Sequence, residues 1–361
     1  MATQRVLRGI AVCLALALTQ GPADAERPAD APKGLKATLA IPKDKVVVGE
    51  PLVVYITLVN EGSQPAETAY ATAVAMPDNY KYGLMFLEGV VDYSVFGSGK
   101  EIARGQATPY RGNIMVIGSE VLPPGESVTT EKVICPVRDK DWLSPGSYQL
   151  GVNLWGSGDE SYVTEKRGFE ILRPSPEEQE ALRVLDPSYA GFLEEAGESS
   201  GGFVSQSMAN TMAKLRHDFP RVVYRQHLEY RMFDRRGIEA YRVGAVPYLA
   251  EFPDSPYADD ILLRLTEFQM YDSSRVRLPA IYDTAAGYVE QLLQRYPNSP
   301  RIQEARAWQK YIREEKRYSQ MSPEEGMKER LEEMRKKAEQ NRPKEAAQQE
   351  SPQSPAQGPG S

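Results

Sequence analysis

The sequence predicts two folded parts in succession, an all-β sandwich followed by an all-α stack of helical hairpins, with unstructured ends. Three observations predict it. Apolar residues alternate at period two from Leu35 to Leu172, interrupted by Gly/Pro turns. From Phe203 onward the apolar period becomes helical. Within that second stretch an aromatic–proline pair recurs, as Phe219-Pro220, Phe252-Pro253 and Tyr296-Pro297.

The ends come first in the chain and bound the rest. Arg5 and Arg8 precede an apolar run from Gly9 to Leu18, and Ala23-Asp24-Ala25 stands before Glu26. A basic start, a short apolar stretch and an A-x-A site in this order read as a signal peptide over residues 1–25, cleaved between Ala25 and Glu26. The apolar run is shorter than the ~20 residues a bilayer span needs. Cys13 follows Val12 early in that run, which does not match a lipoprotein signal. The expectation is an exported bacterial-type chain, periplasmic or secreted, with no transmembrane segment once cleaved. Residues 26–33 read as a disordered leader.

Cys135 then remains as the single cysteine, so no internal disulfide forms. It lies in the apolar run Val133–Val137 and reads as a buried strand residue. With 43 basic and 50 acidic residues, the chain lacks the basic surplus of a nucleic-acid binder.

Residues 34–172 carry the β pattern. Leu35, Ala37, Leu39 and Ile41 alternate, and Leu52, Val54, Ile56 and Leu58 share one face before Asn60-Glu61-Gly62. Further runs cover Ala69–Met76, Gly83–Phe96, Asn113–Ser119, Ser127–Val137, Ser147–Trp155 and Tyr162–Leu172. Turn signals such as Pro123-Pro124-Gly125 and Ser144-Pro145-Gly146 separate them. Many short strands with such turns predict a β-sandwich. Residues 77–109 depart from the alternation and read as a decorated loop or a hairpin. Gly49-Glu50-Pro51-Leu52-x-Val54-x-Ile56-x-Leu58-x-Asn60-x-Gly62 resembles the first strands of bacterial immunoglobulin-like domains. Leu143-Ser-Pro-Gly-Ser-Tyr148-x-Leu150 is similar to the corner where such domains place a tyrosine. The resemblance implies an immunoglobulin-like sandwich and says nothing of a ligand.

Residues 173–202 read as a linker. Ser175, with Pro176 and Glu178 after it, starts a short helix by a capping box, and residues 197–202 form a flexible joint. Residues 203–318 hold the repeat. The prolines Pro220, Pro253 and Pro297 are spaced by 33 and then 44 residues. Eight positions before them stand Met212, Ala245 and Val289, and eight after stand Leu228, Ile261 and Ala305. The excess length falls over Asp272–Pro279 and reads as a loop insertion. Each proline stops one helix, and Ser255-Pro256 or Ser299-Pro300 starts the next. A lone hairpin cannot bury its apolar face, so hairpins stack. The order helix, Tyr/Phe-Pro-x-Ser-Pro, helix resembles tetratricopeptide repeats, most of all those of exported outer-membrane-assembly and cell-envelope-coordinating proteins. The resemblance implies protein binding. Residues 319–341 form a charged helix begun by Ser322-Pro323-Glu324-Glu325, with Met327, Leu331, Met334 and Ala338 in a narrow stripe. That stripe either docks on something or merely decorates a solvated helix. Residues 342–361 read as a disordered tail.

The chain carries no recognisable catalytic set: no G-x-S-x-G, Walker loop, H-E-x-x-H or dinucleotide fingerprint occurs. His217 and His227 lack the further ligands of a zinc site, and His217-Asp218 reads as a surface pair at a helix end. Asp254, Asp259 and Asp260 read as helix-start acids rather than a calcium loop. Gly97-Ser-Gly99 and Gly156-Ser-Gly158 read as hairpin turns. No catalytic residue, metal ligand or cofactor site is therefore expected. Three functions remain open: a non-enzymatic envelope scaffold binding a protein partner through the helical repeats; a sandwich binding carbohydrate or cell-wall polymer through Trp142, Trp155 and nearby tyrosines, with the hairpins as a spacer; or a hydrolase whose cleft gathers two or more carboxylates.

Overall fold

The computed structural model describes residues 34–68, 71–73, 85–87, 91–107, 120–138, 141–155, 161–185, 189–194, 206–234, 238–275 and 278–340. The signal peptide with its Ala25/Glu26 junction, the leader, the Asn113–Ser119 run, the Gly156–Gly158 turn, the 197–202 joint and the 342–361 tail lie outside the described residues.

Strands come first and helices after, so the chain is a β part followed by an α part. The strands are β1 (Leu35–Ala40), β2 (Lys45–Val47), β3 (Leu52–Asn60), β4 (Ala66–Thr68), β5 (Ala71–Ala73), β6 (Met85–Leu87), β7 (Val91–Gly97), β8 (Lys100–Ala107), β9 (Glu120–Leu122), β10 (Ser127–Ile134), β11 (Val137–Arg138), β12 (Asp141–Trp142), β13 (Gly146–Trp155), β14 (Ser161–Val163) and β15 (Arg167–Leu172). The helices are α1 (Pro176–Val184), α2 (Tyr189–Glu194), α3 (Gln206–Asp218), α4 (Val223–Asp234), α5 (Ile238–Glu251), α6 (Ala258–Arg275), α7 (Pro279–Arg295), α8 (Ile302–Ser319) and α9 (Pro323–Gln340). No described helix is long and apolar enough to cross a membrane.

Two compact units emerge: residues through Asp260 with Ser299–Arg301, and Ile261–Asn298 with Ile302 onward. The division falls inside α6.

In the first unit one sheet runs β1-β3-β10 and another β2-β15-β13-β7-β8, with β14 on β13. β2 joins β15 in parallel, and the other neighbours described are antiparallel. Leu52, Val54, Ile56 and Leu58 enter one core with Val95, Leu150, Val152, Phe169 and Ile171, each fully buried side chain contributing about 1.5–3 kcal/mol. The opposite face of β3 is half covered: Val53 and Tyr55 are buried, whereas Thr57 and Val59 are only partly so. Strict alternation would leave all four in solvent. Over Tyr55 the neighbours are Pro256, Asp259 and Arg301 of the same unit.

Asn60 ends β3 because its side chain replaces lost ladder bonds. Its amide donates to the Gln64 and Leu122 carbonyls (2.9 and 2.7 Å) and its oxygen accepts from Gly62 N–H (2.9 Å). Residues 91–107, within the segment that departs from alternation, form the β7–β8 hairpin. Its turn places Ser98 and Gly99 at positive φ, 50° and 78°.

The capping box at α1 is present, with Ser175 Oγ accepting from Glu178 N–H and the Glu178 carboxylate accepting from Ser175 N–H. α2 has no sequence precursor above: it buries Tyr189, Phe192 and Leu193 from a stretch too short to show a helical period. The three aromatic–proline sites close their helices identically. Phe219, Phe252 and Tyr296 N–H groups bond to the Leu215, Tyr248 and Leu292 carbonyls, and the following proline has no N–H with which to continue. Met212, Ala245, Val289, Leu228, Ile261 and Ala305 are all buried. The Asp272–Pro279 insertion differs from the loop expected, because Asp272–Arg275 continue α6 and α7 starts at Pro279. A polar run such as Asp-Ser-Ser-Arg lacks helical signal, but a helix already nucleated extends at little cost.

In the second unit α7 and α8 pack through Val289, Leu292, Ala305, Trp308 and Ile312, and α9 follows α8 after the capping residue Ser322.

Candidate functional site

The polar side chains of the first unit converge where its sheets meet its helices. The β2–β3 turn carries Gly49 at φ +90°, a conformation that disfavours any Cβ. That conformation turns Glu50 inward. Glu50 Oε2 accepts from Val47 N–H at 3.1 Å, Lys43 pairs with Oε1, and Glu50 is 1% exposed. Tyr224 of α4 donates to the Val48 carbonyl at 2.6 Å, fastening the same turn.

His227 of α4 completes a chain. Its Nδ1 lies 2.7 Å from the Tyr257 hydroxyl and its Nε2 3.4 Å from Glu50 Oε1. Burial lowers the His227 pKa, against the opposing pull of Glu50, so the imidazole is neutral at neutral pH. Burial raises the Glu50 pKa, but hydrogen bonds from His227 and Lys43 together with the Lys43 charge outweigh it and hold the carboxyl below its ordinary range. One tautomer fits both facts: Tyr257 O–H donates to Nδ1, and Nε2–H donates to the Glu50 carboxylate. The Tyr257 ring stacks on Tyr230 at 3.9 Å.

A second cluster lies under β3. Tyr55 O–H donates to Asp259 Oδ1 at 2.6 Å, with the Pro256 carbonyl at 3.3 Å and Glu131 Oε2 at 3.4 Å. Asp259 also accepts from Ser299, whose Oγ takes the Arg301 N–H at 3.0 Å. Asp260 pairs with Arg301 (2.8 Å) and accepts from Tyr230 O–H (3.2 Å). Burial and then the charge of Asp260 push the Glu131 pKa well up, and burial raises that of Asp259. Arg301 counters both.

Order along Glu50–His227–Tyr257 is carboxylate, imidazole, hydroxyl, the order of a nucleophilic triad. Its hydroxyl end differs from a working nucleophile: Tyr257 is 0% exposed and burial drives its pKa far above the usual phenol range. The chemistry available here is bracing. Both clusters link residues more than 170 positions apart, Glu50 with His227 and Tyr55 with Asp259.

Among the sequence candidates, His217 is exposed and bonded to Asp218 at 2.6 Å near the end of α3. Asp259 and Asp260 do start α6, yet both are buried in the bracing cluster, because their partners are supplied by β3 and residues 299–301. Cys135 is buried just past β10, its Sγ 3.6 Å from the Ala190 carbonyl. Trp142 is partly buried, 5.9 Å from the Tyr189 ring, and the side chain of Trp155 lies outside the described residues. Sequence reasoning took Glu50 as a turn residue and His227 as an incomplete metal ligand and missed that the two meet. The available signal was position: His227 shares one helical stripe with Tyr224, Leu228 and Arg231, and all four are buried. Among the described residues no group of three or more His, Cys, Asp and Glu is arranged to hold a metal.

No family model matches the sequence, and no curated protein matches it. Solved structures give distant likenesses. A β-glucosidase from Listeria innocua in complex with glucose matches at 11% identity over 38% of this chain and 16% of its own, with TM-score 0.20. The sporulation control protein Spo0M of Bacillus subtilis matches at 12% over 42% of this chain and 55% of its own, with TM-score 0.23. A CARDB domain from Pyrococcus furiosus matches at 11% over 43% of this chain and 95% of its own, with TM-score 0.19. The chain thus spans less than a fifth of the β-glucosidase and about half of Spo0M. Likenesses this distant bear on neither fold nor function.

Proposed function

We propose that this chain is an exported, non-enzymatic cell-envelope protein that binds a protein partner through its helices. In this reading an immunoglobulin-like sandwich serves as the brace and tetratricopeptide-like hairpins as the binding module. The observation that carries the reading is the outward face of α5. Val243 is 75% and Val246 50% exposed, with Pro247 and Ala250 beside them, while Tyr241, Ala245, Tyr248 and Leu249 bury the opposite face. An apolar stripe at helical spacing in solvent suits a protein contact. Pro247 adds a carbonyl, that of Val243, which loses its helical N–H partner and is left for another donor.

Three features support the two resemblances. β1 joins β3 in one sheet while β2 joins β15 in the other. Tyr148 O–H donates to the Ser144 carbonyl at 2.8 Å, the bond of a tyrosine corner. The repeated closure at Phe219, Phe252 and Tyr296 suits stacked hairpins.

The test is affinity capture from the envelope fraction with the mature chain and a Val243→Asp/Val246→Asp variant. Both positions are exposed, so the substitutions remove no core side chain, and circular dichroism checks that the variant keeps its helix content. A truncation after Arg173 is avoided because it would strip Tyr55 of Asp259, Pro256 and Arg301. Protein captured by the wild type and lost from the variant supports the reading. Cell-wall polymer recovered equally by both proteins, without a protein partner, sinks it.

A further inference from the structure

α9 is amphipathic in the inverted sense. Its polar face holds it to α8: Arg317 pairs with Glu333 (2.7 Å) and Glu329 (3.2 Å), Tyr318 O–H donates to Glu333 (2.8 Å), and Arg330 forks onto Glu315 (2.7 and 2.9 Å). The Arg330 guanidinium also lies 4.6 Å from the Tyr318 ring centre. Its apolar stripe points the other way, with Met327 67%, Leu331 59% and Met334 46% exposed. A surface helix ordinarily buries its stripe and solvates its charges.

Spacings of four and three residues make this stripe a short d-a-d seam about 10 Å long. The positions that follow each d residue, Lys328 and Arg335, are exposed and basic. Arg330 holds the other flank, and the acids Glu325 and Glu332 stand one position farther from the seam. In a coiled pair these flanking positions choose the partner. A second copy aligned antiparallel would bring Lys328 and Arg335 against each other and so set like charges together.

We infer that α9 docks an acidic amphipathic helix of a partner protein, its apolar stripe on Met327, Leu331 and Met334 and its flanking carboxylates toward Lys328 and Arg335. The inference rests on the protein-binding reading above and gives the partner its chemistry.

The experiment measures binding of the mature chain to a labelled synthetic peptide of about three heptads, with leucine at the seam and glutamate at the flanks, by fluorescence anisotropy. A lysine-flanked twin is the control. The glutamate peptide should bind at least about tenfold tighter than its twin, more weakly as salt rises. Leu331→Glu should remove binding, and Lys328→Glu/Arg335→Glu should reverse the preference between peptides. Circular dichroism confirms that each variant keeps its helix content. Equal binding of both peptides, binding that survives Leu331→Glu, or a wild-type dimer in sedimentation that Leu331→Glu dissociates would each overturn the inference. Envelope capture that depends on Val243 and Val246, with no binding of the acidic peptide, leaves the scaffold reading standing and ends this one.

Discussion

The buried imidazole of His227 makes stability depend on pH in a direction that can be worked out in advance. Its pKa in the folded chain lies below the ordinary value of 6.5 because burial disfavours the cation. Below pH 6.5 the unfolded chain takes up a proton that the folded chain refuses, so stability is complete above that pH and is lost as pH falls. One such group changes stability by up to about 1.4 kcal/mol per pH unit, and between pH 7.5 and 5.5 the total reaches about 1.4 kcal/mol. Glu131 and Asp259 act oppositely, since their raised values favour proton uptake by the folded chain. Glu50, held low, loses its contribution only below its ordinary 4.5. His227→Gln isolates the histidine. Glutamine offers an amide donor toward Glu50 and a carbonyl acceptor for Tyr257, and it does not titrate. Urea denaturation of both proteins between pH 7.5 and 5.5 should give a wild-type curve that falls relative to the variant by about 1 kcal/mol. The carboxylate contributions cancel in the difference. Parallel curves would refute the claim that burial holds His227 neutral between Glu50 and Tyr257.

Two other perturbations probe the same joint. Gly49→Ala should cost about 2–4 kcal/mol, from a left-handed φ and from a Cβ driven into Leu182 and 3.1 Å from Tyr224; adding Leu182→Ala should recover part of the loss in a double-mutant cycle, and a cycle without coupling would disprove the contact. Arg301→Ala should cost about 3 kcal/mol in chemical denaturation, because Asp260 and the protonation balance at Glu131 lose their cation; a cost under about 0.5 kcal/mol, the level of a surface pair, would place that charge in solvent.

Much of the local structure was legible in the chain. Six aligned apolar positions around the three prolines are buried because a stop signal at fixed phase fixes the inward face of the helices on either side. Ser175 and Glu178 close a capping box because both bonds are made within four residues. The α6 extension and α2 were not legible: Asp272–Arg275 are polar residues carried by an existing helix, and Tyr189–Glu194 form too short a run for a period to show. The candidate site was less legible still. Gly49-Glu50 reads as an ordinary turn, and nothing in its neighbourhood reveals that the carboxylate faces a histidine of α4.

The sequence by itself determined the succession of β and α parts, the core face of β3, the hairpin stops and the charged final helix, because alternation, capping and proline act over a few residues. Only the tertiary structure decided that Val53 and Tyr55 are covered, that Glu50, His227 and Tyr257 form one chain of hydrogen bonds, and that α9 turns its charges inward and its methionines out. Those outcomes depend on which distant groups share a dry space, where a buried charge needs a partner and a lone polar atom carries a full desolvation cost, and no pattern confined to neighbouring residues specifies them.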